Sequence, residues 1–496
     1  MSIEEQLSGA GIDAALSLQI LRSLQEGKLH SGQTAPAHNF EIPRIDGEEI
    51  IDLSSGFSYH ITEQRARRLL RQFPELRSTG LGAGKGITLN QIHEIGLILS
   101  TYYAFGVLNG GSASSYFDYS KNQAYSPALF SLLEKEFNSL ATDYAARPKA
   151  LCPAYLQADG SRGPSFMGLK LRSLLHLIHR QARQGQSKNS PRTQFFQMTS
   201  QLTHEPLEQY AREGWKSDPL AAWAGELDWQ PEKEILSARQ PLIAAYDYNG
   251  GRWDFWRDAN RQFLPMPGGH GQCFFALRGL FRQLYDSGTR YISLGNIDNI
   301  AYNPQPLFIG LLALSGRTGF FASSYRSSID VKGGVLLRPH TQGQKTGTQS
   351  ESRPKLNCYD IGVGVSPDIL PIAEQQDRVL LFNCAIGYFD LGQLLAQIDD
   401  IIRCLPIRVS EQNKDRGHYW QVEQVSWEAI GLLDTVLLGA VRKEDHFLAA
   451  KLQLETFINT AYRSEQYPGT QLKHLAARLS TGYRHILKRD CALSMP

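Results

Sequence analysis

The strongest constraint on the fold is an alternation of short apolar runs with helical periodicity that begins near residue 101. Runs of strand length lie at 102–109, 194–199 and 291–296. Segments with apolar residues on one helix face lie at 127–140, 166–181, 203–212 and 272–287. Strands that alternate with helices at this rhythm predict an α/β fold with a mostly parallel, doubly wound sheet.

The regions on either side of this core have a different pattern. Residues 1–95 predict a helical N-terminal region, 96–400 the α/β domain, and 401–496 a mainly helical C-terminal region. Further strands are expected at 318–323, 334–338 and 379–384, an exposed loop at 340–355, and late helices at 446–462 and 469–488.

Composition excludes several classes of function. Lys plus Arg number 51 and Asp plus Glu 49, so the net charge of +2 gives no footprint of a nucleic-acid binder. No uncharged run reaches the ~18 residues that a membrane span needs. The six cysteines have no CxxC spacing, and the first residues contain acids and no apolar signal-peptide core. We therefore expect a cytoplasmic protein that binds neither nucleic acid nor membranes.

Several loop tips that such a sheet gathers at one edge carry phosphate-binding chemistry. They are Gly110-Gly111 with Lys121, Thr199-Ser200, the turn 267–271, and 296–299. Glycine-rich turns let backbone N–H groups approach phosphate oxygens, and an aspartate after a strand can bind Mg²⁺. The segment 80–86 resembles a Walker loop but has glycine where serine or threonine must follow the lysine, so we exclude it.

Five motifs in a fixed order give the chain a family resemblance. They are FQMTSQLT at 196–203, LPMPGGHGQ with the following helix and Asp-Asn at 264–299, DVKGG at 330–334, Phe382-Asn383, and RKEDHFLAAK at 442–451. Together they resemble the family of UTP–glucose-1-phosphate uridylyltransferases and UDP-N-acetylhexosamine pyrophosphorylases. The resemblance implies a Rossmann-like nucleotidyltransferase sheet and transfer of a nucleotidyl group from a nucleoside triphosphate, most simply UTP, to a sugar 1-phosphate, with release of pyrophosphate.

The resemblance also implies site roles. Contacts with the nucleotide are expected from Leu108, Asn109, Gly110, Gly111, Ser114, Thr199, Ser200, Gly269 and Gly271. Contacts with the sugar or its phosphate are expected from His270, Asn299 and Asn383. Catalytic contacts with the phosphates are expected from Lys121, Lys332 and Lys451, and Mg²⁺ is expected on Asp298.

The glycine-rich loop departs from the family signature Leu-x-Gly-Gly-x-Gly-Thr, which is followed further on by Pro-Lys. Ser112 to Ser115 replace x-Gly-Thr-x, and Lys121 lacks a preceding proline. Two alternatives therefore stay open: the same chemistry with another base or sugar, and a nucleotide-binding or regulatory protein that has lost turnover. A glycosyltransferase would need Asp-x-Asp, and Asn296-Ile297-Asp298 is not that motif.

Overall fold

The apolar runs form strands and the periodic segments form helices, as the alternation predicts. The computed structural model describes residues 2–29, 34–54, 56–82, 86–183, 192–217, 220–326, 330–340, 354–414 and 417–494. The segment 80–86 lies partly, and the predicted loop 340–355 largely, outside these residues.

The strands are β1 (Phe40–Glu41), β2 (Ile50–Asp52), β3 (Ser58–Tyr59), β4 (Ile87–Thr88), β5 (Tyr103–Leu108), β6 (Gln194–Thr199), β7 (Ile235–Arg239), β8 (Leu242–Ala244), β9 (Tyr246–Asn249), β10 (Arg252–Phe255), β11 (Pro265–Pro267), β12 (Tyr291–Asn296), β13 (Gly319–Tyr325), β14 (Gly334–Pro339), β15 (Asn357–Asp360), β16 (Leu381–Asp390), β17 (Ile407–Lys414), β18 (Gly417–Gln424) and β19 (Val436–Val441).

The helices are α1 (Ile3–Gly9), α2 (Ala14–Gln25), α3 (Glu63–Gln72), α4 (Leu89–Leu99), α5 (Tyr119–Tyr125), α6 (Pro127–Tyr144), α7 (Phe166–Arg183), α8 (His204–Arg212), α9 (Leu220–Glu226), α10 (Pro231–Glu234), α11 (Cys273–Ala276), α12 (Arg278–Asp286), α13 (Pro306–Ser315), α14 (Ile369–Gln375), α15 (Leu391–Cys404), α16 (Lys443–His446), α17 (Gln453–Thr460) and α18 (Thr470–Cys491). Among the described residues, no helix is both long enough and apolar enough to cross a membrane.

The central sheet has the order β2-β19-β13-β16-β12-β5-β6-β7, with β1, β14 and β15 attached beside β16. Neighbours along this order are parallel except at β16, which runs antiparallel to both β12 and β13. The inner strands β5 and β12 are buried on both faces, which explains why they read as continuous apolar runs. The predicted α/β fold with a mostly parallel sheet is confirmed.

The strand order reverses at β5, and this reversal creates a crevice. The chain continues from β5 to β6 on one side and returns much later as β12 on the other. Leu108 at the end of β5 lies opposite Asn296 at the end of β12. The glycine-rich loop and Asp298 therefore start side by side, at the edge where open parallel sheets bind ligands.

A second sheet stands beside this edge, built from β10, β9, β18 and β17, with the pair β8 and β11 next to it. Helix α2 packs on it through Ile20, which shares an apolar cluster with Ile243 and Val422. The region 401–496 thus contains β17, β18 and β19 besides its helices, and the region 1–95 contributes β2 to the central sheet. Neither terminal region is purely helical.

Helices α4 and α13 cross at a contact that only glycine permits. A Cβ on Gly96 would lie 1.7 Å from the carbonyl oxygen of Pro306, and one on Gly310 would lie 2.2 Å from the carbonyl oxygen of Ile92. The two backbones can approach this closely because neither glycine carries a side chain.

We expect Gly96→Ala to lower the free energy of unfolding by about 3 kcal/mol or more, because the methyl group forces the two backbones apart. Urea denaturation measures this change. Gly279→Ala is the matched control: a Cβ on Gly279, in α12, would have no atom within 4 Å, so alanine there should stabilise the helix. Equal stability of the two variants would contradict the close crossing.

Candidate active site

A cavity of about 830 Å³ opens at the carboxyl ends of β5, β6 and β12 and reaches the second sheet. Its lining includes Leu108, Gly110, Gly111, Ser112, Ser115, Tyr116, Lys149, Ser200, Gln240, Pro267, Gly269, His270, Asn296, Asp298, Glu423 and Lys451. The loop tips that the sequence predicts to meet at this edge do meet there, and the volume lies in the range of ligand sites, about 300–1,000 Å³.

The glycine-rich loop forms one wall. A Cβ on Gly110 would lie 3.2 Å from the Gln240 Oε1, whereas one on Gly111 would have nothing within 4 Å, so Gly111 faces open space. Ala113, which replaces a glycine of the family signature, is buried, does not have positive φ, and donates its backbone N–H to the carbonyl of Arg147 at 2.9 Å. The alanine therefore fits this backbone without strain.

Lys149 and Asp298 form an ion pair in the wall of the cavity. The Lys149 Nζ donates to Asp298 Oδ2 at 2.7 Å and to the carbonyl oxygen of Ala450 at 2.5 Å. It also lies 4.8 Å from the centre of the Tyr116 ring. The side chains of Lys149 and Asp298 are only 10% and 17% exposed, so this cation and carboxylate are largely buried at the cavity wall.

Sequence reasoning missed Lys149 because it is distant from the glycine-rich loop in the chain. It begins a 3-10 turn, Lys149–Leu151, and its backbone N–H donates to the Gly111 carbonyl at 3.1 Å. This pairing brings the dipeptide Pro148-Lys149 against the loop. The resemblance leads one to expect a Pro-Lys dipeptide after the glycine-rich loop, and this was the signal that could have found Lys149; here α5 and α6 lie between the loop and Pro148-Lys149.

Lys121, predicted to contact the phosphates, is not among the residues that line the cavity. It lies in the first turn of α5, where its Nζ pairs with Asp118 Oδ2 at 3.1 Å and its side chain is 60% exposed. Asp118 also caps the helix by accepting the backbone N–H of Lys121. The structure does not bring Lys121 to Asp298; it brings Lys149 there.

Asp298 places a carboxylate that could hold a metal ion in the cavity lining. Its Oδ1 accepts no hydrogen bond from the described residues, since the ion pair uses Oδ2. Those residues contain no cluster of three or more His, Cys, Asp or Glu that could hold a metal ion. A single carboxylate oxygen fits Mg²⁺ that completes its shell with water and substrate phosphates, and does not fit an all-protein metal site.

His270 presents a neutral imidazole to the cavity. Its Nδ1 accepts the backbone N–H of Ser426 at 3.2 Å and lies 2.8 Å from the Ser426 Oγ. Burial lowers the pKa of His270 to about 4. With Nδ1 as acceptor, the single proton of the neutral ring lies on Nε2. His270 is therefore fixed as a hydrogen-bond donor toward the cavity.

The two glycines beside His270 hold its turn against β18. Gly269 has φ +80°, and a Cβ on it would lie 2.4 Å from the Gln424 carbonyl oxygen. A Cβ on Gly271 would lie 2.6 Å from the Gln424 Cβ. Gly269 lines the cavity, whereas Gly271 is buried against β18. Packing alone requires glycine at both positions.

Gln240 has a fixed amide orientation at the cavity wall. Its Nε2 donates to the Gly269 carbonyl at 2.7 Å and to the Gln272 Oε1 at 2.8 Å, which uses both amide hydrogens. The Oε1 therefore remains as an acceptor next to Gly110.

Three predicted nucleotide or sugar ligands are buried and bonded within the protein. Asn109 donates to Gln197, Thr199 contacts His204 and the Ala238 carbonyl, and the Asn299 amide bonds only backbone groups. None of them lines the cavity. Their hydrogen bonds hold the ends of β5, β6 and β12 in place. These three residues therefore support the edge of the sheet and do not line the cavity.

The remaining predicted residues divide between the cavity and its surroundings. Leu108, Ser200 and Lys451 line the cavity, and Lys451 precedes α17 in a non-helical segment. The Ser114 Oγ lies 2.9 Å from the Oγ of Ser112, which lines the cavity. Lys332 is exposed and does not line the cavity. Asn383 lies at an irregularity in β16, where its Oδ1 accepts the Ala385 N–H, and it does not reach the cavity lining.

No protein-family profile matches the chain, and no curated protein sequence matches it. Solved structures do. A mutant UDP-glucose pyrophosphorylase from Leishmania major in complex with UDP-glucose is 15% identical with a TM-score of 0.60, over 95% of this chain and 80% of that one. The UDP-N-acetylglucosamine pyrophosphorylase from Trypanosoma brucei, in complex with an inhibitor, is 15% identical with a TM-score of 0.58, over 99% and 84%.

The chain has the fold of the UDP-sugar pyrophosphorylases. The same fold appears in the open and closed structures of the Leishmania major UDP-glucose pyrophosphorylase, with a TM-score of 0.58 and 15% identity over 92% of this chain and 77% of that one. The fold that the motif resemblance implies is thereby confirmed.

Proposed function

We propose that this protein is a sugar-1-phosphate nucleotidyltransferase that joins UTP and a sugar 1-phosphate into a UDP-sugar and pyrophosphate. The observation that carries the proposal is the cavity where the glycine-rich loop meets the Lys149–Asp298 pair, His270 and Lys451. The fold of UDP-sugar pyrophosphorylases supports it.

The reaction needs positioning and charge neutralisation more than a side-chain nucleophile. An anionic oxygen of the sugar 1-phosphate forms a bond to the α-phosphorus of the triphosphate. The bond between the α-phosphorus and the bridging oxygen breaks, and pyrophosphate leaves with that electron pair. The attacking oxygen is already ionised, so the neutral His270 acts as a hydrogen-bond donor and not as a base. Lys149 and Lys451 balance the phosphate charge.

Mg²⁺ completes this proposal. Asp298 would hold it through Oδ1, and the ion would neutralise charge on the phosphate oxygens. Lys149 on Oδ2 keeps the carboxylate oriented toward the same phosphates. Lys121 and Lys332, predicted as further phosphate cations, lie outside the cavity lining. We therefore propose Lys149 in the role first predicted for Lys121.

Recognition of the base favours a ring that carries a hydrogen-bond donor at the edge facing Gln240. The oriented Oε1 of Gln240 accepts a hydrogen bond, as from the N3–H of uracil. Gly110 and Gly111 offer a flat backbone surface because neither has a side chain that would separate the base from it. These contacts support UTP as the nucleotide substrate. The identity of the sugar is tested with a panel of sugar 1-phosphates.

A second candidate is a nucleotide-binding protein without turnover. One observation favours it: Lys121, predicted as the phosphate-binding lysine, is exposed and paired with Asp118.

The experiment that separates the candidates measures pyrophosphate release from UTP, TTP, CTP, ATP and GTP with Mg²⁺ and a panel of sugar 1-phosphates. Release with UTP and one sugar supports the enzyme. Release that requires another triphosphate keeps the chemistry and rejects the base assignment. Binding of UTP by calorimetry with no release from any pair supports the second candidate and rejects the first.

We expect Gly111→Ala to weaken UTP binding about tenfold or more, because its methyl group enters the space proposed for the base. Stability should not change, since the methyl group contacts no protein atom. Calorimetric titration and thermal unfolding measure the two effects. Gly225→Ala, in the exposed part of α9, is the control with unchanged affinity. Wild-type affinity in Gly111→Ala would remove the base from this wall.

A further inference from the structure

A second cavity, of about 230 Å³, lies between α4, α7, α13, α18 and the end of α16. Its polar lining consists of His93, His176, Arg180, His446, Arg489 and Asp490, together with Ser173 and Gln305. None of these residues lines the nucleotide cavity. Five of the six named first are cationic or imidazole side chains, which is an unusual concentration in a small cavity.

The charge in this cavity is not balanced. Arg489 pairs with Asp490 at 2.6 Å, and Asp490 accepts further hydrogen bonds from Asn303 and Gln305 at 3.0 and 3.1 Å. The Asp490 carboxylate therefore already accepts hydrogen bonds from three side chains of the protein. Arg180 pairs with no carboxylate of the described residues: its guanidinium donates only to the His93 Nε2, at 3.3 Å. A half-buried arginine without a carboxylate is rare, because arginine is buried almost only when paired.

An imidazole of the cavity also lacks a partner. The Nδ1 atom of His446 is buried and forms no hydrogen bond within the described part of the chain. Burial lowers the pKa of His446 to about 4, so the ring is neutral and has one N–H to donate. An unbonded buried polar atom is destabilising unless something outside the protein satisfies it.

We propose that this cavity, defined by Arg180 and His446, is a binding site for a small phosphate-bearing anion, linked to the nucleotide cavity. A phosphate accepts hydrogen bonds at all its oxygens and matches the guanidinium fork. Free phosphate and a small phosphate ester share this chemistry. A second nucleotide sugar is excluded because 230 Å³ is below the range of sites for larger ligands, about 300–1,000 Å³.

The link between the cavities is a short segment, 446–451, that has one end in each. Asn299, next to Asp298, donates to the His446 carbonyl at 3.1 Å and accepts the Leu448 N–H at 3.0 Å. Lys149 donates to the Ala450 carbonyl, and Lys451 lines the nucleotide cavity. An anion that draws His446 toward Arg180 therefore acts on the segment that carries Lys451 and whose Ala450 carbonyl bonds Lys149, the partner of Asp298. Linkage requires the effect to be reciprocal.

The test titrates inorganic phosphate, and separately glycerol 3-phosphate, into the wild type, Arg180→Gln and Arg183→Gln by calorimetry. Arg183 lies on the same helix, exposed and outside the cavity, so its variant matches the charge change. We expect at least about a tenfold loss of affinity in Arg180→Gln, none in Arg183→Gln, and partial recovery in Arg180→Lys. Thermal unfolding checks that each variant is folded, and His93→Gln provides a second variant.

Binding to Arg180→Gln with wild-type affinity would assign the anion to the nucleotide cavity and overturn the proposal. Tighter binding of glycerol 3-phosphate than of phosphate would identify an ester as the ligand, and the reverse would identify free phosphate. Both results support the site.

The link is tested by the dissociation constant of UTP with and without saturating phosphate. We expect a change of about fivefold or more in the wild type and none in Arg180→Gln. An equal change in both proteins would show competition at the nucleotide cavity and overturn the link. This arm alone rests on the proposed function: if UTP does not bind, that function fails while the phosphate titration still decides the site.

Discussion

Asp298→Asn is expected to lower turnover about a thousandfold while leaving the fold intact. Asparagine keeps the size of the side chain and can still accept the hydrogen bond from Lys149, but it removes the negative charge that Mg²⁺ needs. The described residues contain no cluster of three or more His, Cys, Asp or Glu that could hold the ion in its place. Pyrophosphate release at saturating substrate measures the loss, and circular dichroism measures the fold.

The control for this variant is Asp286→Asn, an equal change at the exposed end of α12. It should keep wild-type turnover. Raised Mg²⁺ should restore part of the activity of Asp298→Asn, because the weakened site can be filled by mass action. Wild-type turnover in Asp298→Asn would remove this residue from the metal site and with it the proposed arrangement of the phosphates.

The second large effect distinguishes two lysines. Lys149→Met is expected to lower kcat/KM about a thousandfold, because methionine fills the same space over Tyr116 without the charge that faces the phosphates. The same change at Lys121 should leave kcat/KM unchanged, since the ammonium group of Lys121 is exposed and paired with Asp118. Steady-state kinetics of the two variants, side by side, give the comparison.

Lys149→Met should also lower the free energy of unfolding by about 1–3 kcal/mol, because the Ala450 carbonyl and Asp298 both lose a hydrogen-bond donor. Loss of activity must therefore be read at a temperature where both variants are fully folded. The opposite result, an inactive Lys121→Met beside an active Lys149→Met, would return the phosphate role to Lys121 and imply that α5 moves when substrate binds.

The sequence predicts the buried strands best. β6 and β12 begin and end at the predicted residues, 194–199 and 291–296, because both are buried runs bounded by polar turns. The hairpin of β17 and β18 was not predicted. Polar residues occupy the exposed face of both strands, and their apolar face is covered by α2, which comes from the other end of the chain. Periodicity within a segment carries no information about such a distant partner.

The late helix predicted over 446–462 is interrupted for a similar reason. α16 ends at His446 and α17 begins only at Gln453. The residues between them are held in extended form by Asn299 and Lys149, which bond their backbone. Tertiary hydrogen bonds outweigh the local sequence pattern on which the prediction relied.

The loop tips of the site could be predicted because parallel strands end at a common edge, whereas the ion pair could not. Strands with a clear apolar sequence pattern precede or follow Gly110, Gly111, His270 and Asp298. All four residues line one cavity. Lys149 lies in a turn between two helices and is brought to Asp298 by the backbone pairing of that turn with Gly111 and Ala113. The proline before it was the one local sign, and it stands far beyond the position where the family signature places it.

The arrangement of the central sheet affects how the protein is made on the ribosome. β5 and the glycine-rich loop emerge early, but the strand between β12 and β13 is β16, and Lys451 follows β19. At a synthesis rate of about 5–20 residues per second, tens of seconds separate the emergence of Gly111 from that of Lys451. Between the emergence of β12 and that of β16 the edges of β12 and β13 lie open, so the nascent chain needs protection from association with its neighbours until β16 has been inserted.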